Sequence, residues 1–229
     1  MLYLGHPSPR AFVCDNCRVL GGMLRVLVVA LVVLVAAMFL LPRGQRGEPP
    51  QTATELPEPR ALADVRLTDD AGRATSLHEL EGEFTLLFFG FTNCPDVCPL
   101  TLGMLAQAKA EIAARAPRFT PRVLFVSVDP HRDTPERIAA YLRGFDPEFK
   151  GVTAPDDELA PLLAQLGVAV EKHAHGGENY NVVHNSAVYV LDPSMDWIAV
   201  STGPHDPKVL ATDYLRLRQR HSGERVPDA

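Results

Sequence analysis

Two cysteines near the middle of the chain have the residue type and spacing for metal or redox chemistry. Cys94 and Cys98 lie in the segment GFTNCPDVCP, with three residues between them. This spacing leaves room for a metal ion between the two sulfurs and also permits a disulfide. The spacing alone therefore does not distinguish a metal site from a redox-active pair. Two soft thiolates favour Cu(I), and a trigonal copper site requires one further ligand such as an imidazole. The pair therefore predicts either a copper site or a dithiol that exchanges disulfides.

The segments around the cysteines predict that the pair lies where a strand meets a helix. Phe84 to Phe91 is a continuous apolar run of strand length, typical of a central strand covered on both faces. Cys98 would cap the next helix, with Pro99 at its first position and Pro117 at its end. A helix N-terminus favours a thiolate, so we expect the pKa of Cys98 to be lowered. Asp96 would oppose thiolate formation if it were buried, so we expect it to face water.

A third ligand is sought among four histidines: His173, His175, His184 and His205. Sequence spacing does not separate them, but His184 has the most favourable context. It precedes a predicted strand at a loop position that thioredoxin folds bring close to the cysteine pair. Thioredoxins place a cis-proline there, whereas no proline occurs between Pro161 and Pro193. The alternative for His184 is a loop histidine that bonds a backbone carbonyl.

The rest of the pattern predicts one α/β domain. Arg122 to Val128 is a second buried strand, and Thr134 caps a helix that continues through Phe145. This order of strand, helix, strand and helix implies parallel pairing. A third helix, a hairpin and a closing helix are predicted at 156–166, at 186–191 with 197–201, and at 207–220. The order is that of a thioredoxin-like fold, with a central mixed sheet flanked by helices.

The N-terminal part of the chain has a different composition. Val26 to Leu41 contains no polar side chain, and a spanning helix needs about 20 apolar residues. We therefore expect a single transmembrane anchor at residues 23–42. A cleaved signal peptide is the alternative, because Met23 to Arg25 resembles a basic n-region and Val35 to Ala37 resembles a cleavage site.

The predicted organisation has five parts. They are a short tail at 1–22, which is not translated if Met23 is the start, an anchor or signal at 23–42, a proline-rich stalk at 43–60, the thioredoxin-like copper-binding domain at 61–221, and a C-terminal tail at 222–229. Cys14 and Cys17 form a second pair in the first tail, where we expect the thiols to have no metal or redox role.

The net charge of -6 and the pI near 5.7 provide no basic surface, so nucleic acid is not an expected partner.

Three segments together resemble the signature of the Sco/SenC family of copper chaperones for cytochrome c oxidase. They are GFTNCPDVCP around the cysteines, FVSVDPHRDTP at 125–135 and YNVVHNSAVYVLDP at 180–193. The resemblance implies that Cys94, Cys98 and His184 are the copper ligands. Asn185 replaces the Ser or Thr that is more frequent in the family after the histidine. Val182-Val183, just before the histidine, replaces residues that are commonly more polar. These departures concern the surroundings of the ligands rather than the ligands.

The second segment contains three charged residues, Asp129, Arg132 and Asp133. The family motif includes them, but an Asp-Pro turn followed by a capped helix also accounts for their types. We therefore expect them to have structural roles.

The resemblance further implies a function and a location. The chain would be a metallochaperone in the inner or cytoplasmic membrane, with its domain on the outer side. It would take copper, as Cu(I) or Cu(II), from an upstream donor and deliver it to the cytochrome c oxidase subunit that carries the binuclear copper centre.

Two other functions use the same thiols. A thiol-disulfide reductase would keep the acceptor's cysteines reduced, with Cys94 or Cys98 as the nucleophile, and this alternative stays open. A peroxidase of the peroxiredoxin kind is disfavoured, because Phe91 and Leu87 stand where that class has a Thr or Ser and a Pro.

Overall fold

The computed structural model describes residues 25, 27–32, 47–174, 180–183, 186–203 and 206–226, with the backbone only at 171–174 and 180–183. Contacts divide the chain into two units, Met1–Gln45 and Arg46–Ala229. In the first unit Arg25 and residues 27–32 are helical. Among the described residues, no helix is both long and apolar enough to cross a membrane. Most of the predicted anchor lies outside the described residues, as do Cys14 and Cys17, so the anchor stays a prediction.

The second unit is built on a mixed sheet. Its strands are β1 Thr54–Arg60, β2 Arg66–Asp69, β3 Ala74–Ser76, β4 Thr85–Gly90, β5 Arg122–Ser127, β6 Lys150–Thr153, β9 Val188–Leu191 and β10 Trp197–Ser201. Within the described part of the chain, these eight strands lie in the order β1-β10-β9-β4-β5-β6-β2-β3. The central strands β4, β5 and β6 are parallel, and the flanking pairs are antiparallel. Strands β7 Glu171–Ala174 and β8 Tyr180–Val183 form a separate antiparallel pair.

Four helices of the second unit are described: α1 Val97–Arg115, α2 Pro135–Leu142, α3 Asp156–Leu166 and α4 Pro207–Ser222. Their starts follow ordinary capping chemistry. The Thr134 side chain accepts a hydrogen bond from the Arg137 N–H at the start of α2, as the sequence predicts. Asp206 caps α4 by accepting hydrogen bonds from two backbone N–H groups. Pro117 follows α1 and begins a short 3-10 helix, which agrees with its predicted role as a helix stop.

The core lies on both faces of the central strands. All six residues of β4 are buried, because helices cover the sheet on each side. On one face Phe88 packs against Phe125, with ring centroids 6.2 Å apart. On the other face Phe89 meets Tyr189 edge to face at 5.9 Å. The predicted α/β fold, a central mixed sheet flanked by helices, is confirmed.

The predicted boundary between stalk and domain at residue 61 is too late. Strand β1 lies within the predicted stalk and pairs with β10 at the edge of the sheet. Pro57 and Pro59 suggested a spacer, but an edge strand tolerates proline, and the β1 register is irregular between Glu55 and Arg60. At the other end, Val226 is buried in the core, so the predicted C-terminal tail also contacts the domain.

One carboxylate fastens the chain just before β1. Asp213 of α4 is fully buried. It accepts hydrogen bonds from the backbone N–H of Gln51, from the N–H and hydroxyl of Thr52, each at 2.9 Å, and from the N–H of Ala53 at 2.9 Å. Hydrogen bonds to a charged acceptor are stronger than neutral ones, so this contact sets where the domain begins.

Replacing Asp213 with Ala tests this contact. We expect the free energy of unfolding to fall by about 3 kcal/mol, because three backbone N–H groups lose their buried acceptor. Urea unfolding of the full-length chain measures the change. Asp157→Ala is the control, since Asp157 is exposed on α3 and its loss should cost less than about 1 kcal/mol. Equal losses in the two variants would contradict the account.

Candidate metal centre

The cysteine pair lies in the turn between β4 and α1, as predicted, but the helix begins earlier than expected. Its first residue is Val97 and its N-cap is Asp96, so Cys98 stands inside the first turn rather than at the cap. Pro99 is accommodated because the first turn of a helix needs no N–H partners. Asp96 is exposed, which confirms the expectation that it faces water.

Cys94 and Cys98 are both reduced thiols in the structure. The exposed fraction of Cys94 is 9%, and that of Cys98 is 0%. The backbone N–H of Cys98 donates a hydrogen bond to the sulfur of Cys94 at 3.4 Å. The helix N-terminus therefore directs a donor at Cys94 rather than at Cys98. The two sulfurs are brought together by one turn of chain without a covalent link.

The predicted lowering of the Cys98 pKa is wrong. Burial raises the pKa of the Cys98 thiol well above its usual range, and the nearby Cys94 and the carboxylate of Asp133 add to the rise. A hydrogen bond to the Phe91 backbone acts in the opposite direction. Desolvation outweighs the helix N-terminus because the sulfur has no contact with water. That burial cannot be read from the residues next to Cys98 in the chain.

The close approach of Cys98 to the sheet depends on a glycine at the end of β4. A Cβ atom at Gly90 would lie 2.7 Å from Cε2 of Phe125 and 3.1 Å from the sulfur of Cys98. Any side chain there would displace the aromatic ring or the thiol. Gly90 therefore creates the space that the Cys98 sulfur occupies against an apolar wall.

Asp133 joins the cysteine turn to the neighbouring strand. Its exposed fraction is 1%. The carboxylate accepts hydrogen bonds from the Thr92 N–H at 2.9 Å, from the Thr92 hydroxyl, and from the Ser127 hydroxyl at 2.6 Å. Thr92 precedes Cys94 by two residues, and Ser127 ends β5, so the buried carboxylate fixes the turn relative to the sheet. The expected structural role of Asp133 is confirmed. Beyond forming a local turn, its carboxylate joins the cysteine turn to the end of β5.

Two arginines brace the same turn from the segment after β5. Arg137 donates from Nε to the Thr92 hydroxyl at 2.8 Å and also bonds the side-chain oxygen of Asn93. Arg132 pairs with the fully buried Asp129, and its guanidinium lies 5.8 Å from the centre of the Phe91 ring. Arg137 was missed by sequence reasoning. Its position three residues after the helix cap Thr134 suggested only an exposed helical residue.

Of the four candidate histidines, the structure describes only His173, and only its backbone. His184, His175 and His205 lie outside the described residues, and His173 is described only as part of the backbone of β7. Among the described side chains, no group of three His, Cys, Asp or Glu residues could hold a metal ion. Strand β9 begins at Val188 opposite Phe88, so it enters the sheet at the end where β4 delivers the cysteine turn. The assignment of His184 stays a prediction.

Comparison with known families identifies the domain. The family model described as SCO1/SenC matches residues 54–219. This chain belongs to the SCO1/SenC family. The matched range starts at β1 and ends within α4, so the family domain includes the strand that the sequence pattern assigned to a stalk.

Two relatives illustrate how far the SCO1/SenC likeness extends. A SCO2-like protein of Rickettsia conorii is 29% identical over 173 residues, which cover 73% of this chain and 83% of the relative. The mitochondrial SCO1 homolog 1 of Arabidopsis thaliana is 33% identical over 154 residues, covering 67% of this chain and 46% of the relative. The chain thus spans about half of the length of that mitochondrial relative.

Two solved SCO1/SenC structures carry copper. Arabidopsis thaliana ScoI with copper bound is 30% identical with a TM-score of 0.64, covering 69% of this chain and 98% of the solved chain. Bradyrhizobium japonicum ScoI with copper bound is 30% identical with a TM-score of 0.61, covering 69% of this chain and 99% of the solved chain. Both likenesses extend over nearly all of the solved domain.

Gly90→Ala tests the space for the Cys98 sulfur. We expect the free energy of unfolding to fall by about 1–3 kcal/mol, because the added methyl overlaps the Phe125 ring. Gly103→Ala in α1 is the matched control, since a Cβ there meets nothing within 4 Å and should stabilise the helix by about 0.5–1 kcal/mol. Opposite signs are expected in urea unfolding, and a stabilised Gly90→Ala variant would refute the packing argument.

Asp133→Asn tests the attachment of the cysteine turn. The amide has one acceptor oxygen for three donors, so we expect a loss of about 2 kcal/mol in unfolding free energy. We also expect faster labelling of Cys94 and Cys98 by a thiol reagent, because the turn becomes detached from β5. Asp146→Asn is the control, since Asp146 bonds Lys109, about three helical turns beyond Cys98 along α1. If labelling is no faster in Asp133→Asn than in the control, Asp133 does not hold the turn.

Proposed function

We propose that this chain is a copper metallochaperone in which Cys94, Cys98 and His184 bind one copper ion as cargo. The observation that carries the proposal is the pair of reduced, buried thiols in the turn between β4 and α1, where the Cys98 N–H bonds the Cys94 sulfur. Two thiolates and an imidazole suit Cu(I). The copper-bound relatives of the same family support the choice of metal.

The proposed acceptor is the cytochrome c oxidase subunit with the binuclear copper centre, as the family resemblance implies. Copper binding releases the protons of both thiols, and the ion then passes to the acceptor as its ligands exchange one for one. An upstream donor supplies the ion. The site is proposed to work on the outer side of the inner or cytoplasmic membrane, with residues 23–42 as the anchor.

A thiol-disulfide reductase remains the second candidate, because both thiols are reduced and adjacent. The environment of Cys98 argues against that residue as the attacking nucleophile. Its raised pKa leaves little thiolate near neutral pH. A metal ion overcomes the same obstacle, because coordination itself deprotonates a thiol. Cys94, which accepts the Cys98 N–H, is then the nucleophile of the reductase candidate, and the copper-bound relatives favour copper binding as the first candidate.

Copper stoichiometry of the full-length chain tests the ligand set. Cys14→Ser and Cys17→Ser are introduced into every sample, so that the second cysteine pair cannot contribute. We expect one copper per chain, no tight binding after Cys94→Ser or Cys98→Ser, and at least about 10-fold weaker binding after His184→Ala, since even an outer partner of a metal ligand commonly contributes that much.

His173→Ala and His205→Ala are the matched controls and should bind copper like the parent. If His184→Ala keeps the parent's affinity and spectrum, the three-ligand site is wrong. If the parent reduces an acceptor disulfide rapidly without copper and binds no copper, the reductase is the correct function.

A further inference from the structure

Leu100 differs from the other large hydrophobic residues of the domain in its exposure. Its exposed fraction is 68%, and within the described part of the second unit no other large hydrophobic residue is exposed. A single exposed leucine needs no explanation by itself, because apolar atoms form much of every protein surface. Leu100, however, is the second residue after Cys98, in the first turn of α1. The exposed leucine therefore lies beside the proposed copper ligands.

The geometry of α1 turns Leu100 outward where Cys98 turns inward. Two residues along an α-helix are about 200° apart around its axis and about 3 Å apart along it. Cys98 is fully buried, so Leu100 faces solvent at nearly the same height of the helix. Its N–H bonds the Asp96 carbonyl at 3.3 Å, which fixes this first turn. Leu100 therefore flanks the cysteine turn on its outer side.

The surface next to Leu100 is also apolar. Val97 precedes Leu100 by three residues, so the two share a face of the helix, and Val97 is partly buried against the core. Gly103 follows Leu100 by three residues, and a Cβ atom there would meet nothing within 4 Å. The side chain of Leu100 therefore stands between a half-buried valine and an open position.

Exposed polar residues border the cysteine turn. Asn93 precedes Cys94, Asp96 lies between the two cysteines, and both are exposed. The exposed Arg137 bonds the side-chain oxygen of Asn93 and so belongs to the same border. An apolar centre with a polar rim is the usual composition of a protein–protein interface.

Copper transfer requires a partner at this place. Because Cys94 is 9% exposed and Cys98 is 0% exposed, an acceptor's ligands reach the ion only if the acceptor contacts the turn. The ion stays Cu(I) throughout: the acceptor's thiols lose protons as they bind it, and Cys94 and Cys98 regain protons as they release it. A standard interface covers about 800 Å² on each partner, a disc of about 16 Å radius. An interface centred on the cysteine turn therefore covers Leu100.

We propose that Leu100 is the apolar centre of the surface on which the copper acceptor docks, against an apolar patch beside the acceptor's own copper-binding cysteines. This role rests on the proposed function. Burial of Leu100 stabilises the transfer complex and keeps the two sets of ligands together while they exchange the ion. Leu100 contributes nothing to copper binding itself, because its side chain is directed away from Cys98.

The test is Leu100→Gln in the full-length chain with Cys14→Ser and Cys17→Ser, loaded with Cu(I). Glutamine has nearly the helix propensity of leucine, so the fold is kept. Copper transfer is followed at limiting concentrations to the reduced, copper-free oxidase subunit, and separately to the small chelator bicinchoninate. We expect transfer to the subunit to be about 10-fold slower, which is the lower end of the effect of burying one leucine. Transfer to the chelator and Cu(I) affinity should not change.

Ala114→Gln is the matched control. It introduces the same side chain at an exposed position of α1, about 21 Å along the helix from Leu100 and so outside the expected interface. Both transfer rates should equal those of the parent.

Four results would contradict the proposal in different ways. If Leu100→Gln transfers copper to the subunit as fast as the parent, the docking role is overturned while the proposed function stands. If transfer to the chelator slows equally, Leu100 acts on the metal site and not on docking. If the parent sediments as a dimer that Leu100→Gln dissociates, a second copy occupies this surface instead of the acceptor. If the parent binds no copper or passes none to the subunit, the proposed function itself fails.

Discussion

The arrangement of the candidate site depends on one buried carboxylate. Asp133 accepts three hydrogen bonds, two from Thr92 in the cysteine turn and one from Ser127 at the end of β5. Apart from these bonds, Arg137 and Arg132 hold the turn from the segment after β5. Because the carboxylate is 1% exposed, water cannot replace these bonds cheaply. The cysteine turn is therefore fixed to the rigid central sheet. A metal site with fixed ligand positions requires such rigidity.

The same burial creates an electrostatic conflict that a copper ion resolves. Cys98 is fully buried near the Asp133 carboxylate, and both the burial and this charge raise the pKa of its thiol. In the proposed function coordination to the bound ion drives deprotonation of the thiol, so a site that disfavours a bare thiolate accepts a metal thiolate. A reductase would need a stable thiolate at one of the two sulfurs before its substrate arrives, and buried Cys98 does not provide it.

The sequence predicted what local patterns control. The apolar run at β4, the capping threonine at α2 and the position of the cysteines after a buried strand were all readable from neighbouring residues. Long-range partners were not. Nothing local to Pro57 and Pro59 reveals that an edge position accepts them, and the bonds from Asp213 to the chain before β1 join residues about 160 positions apart. The raised pKa of Cys98 was missed for the same reason, because burial is a property of the packed domain.

The central claim is that two sulfurs and one imidazole nitrogen hold a single copper ion. X-ray absorption of the Cu(I)-loaded chain, with Cys14 and Cys17 replaced by Ser, tests it most directly. We expect a three-coordinate ion with two sulfur neighbours and one nitrogen neighbour that shows the multiple scattering of a histidine ring, and this nitrogen should disappear in His184→Ala. An ion with sulfur neighbours only, or a histidine signal that persists in His184→Ala, would contradict it.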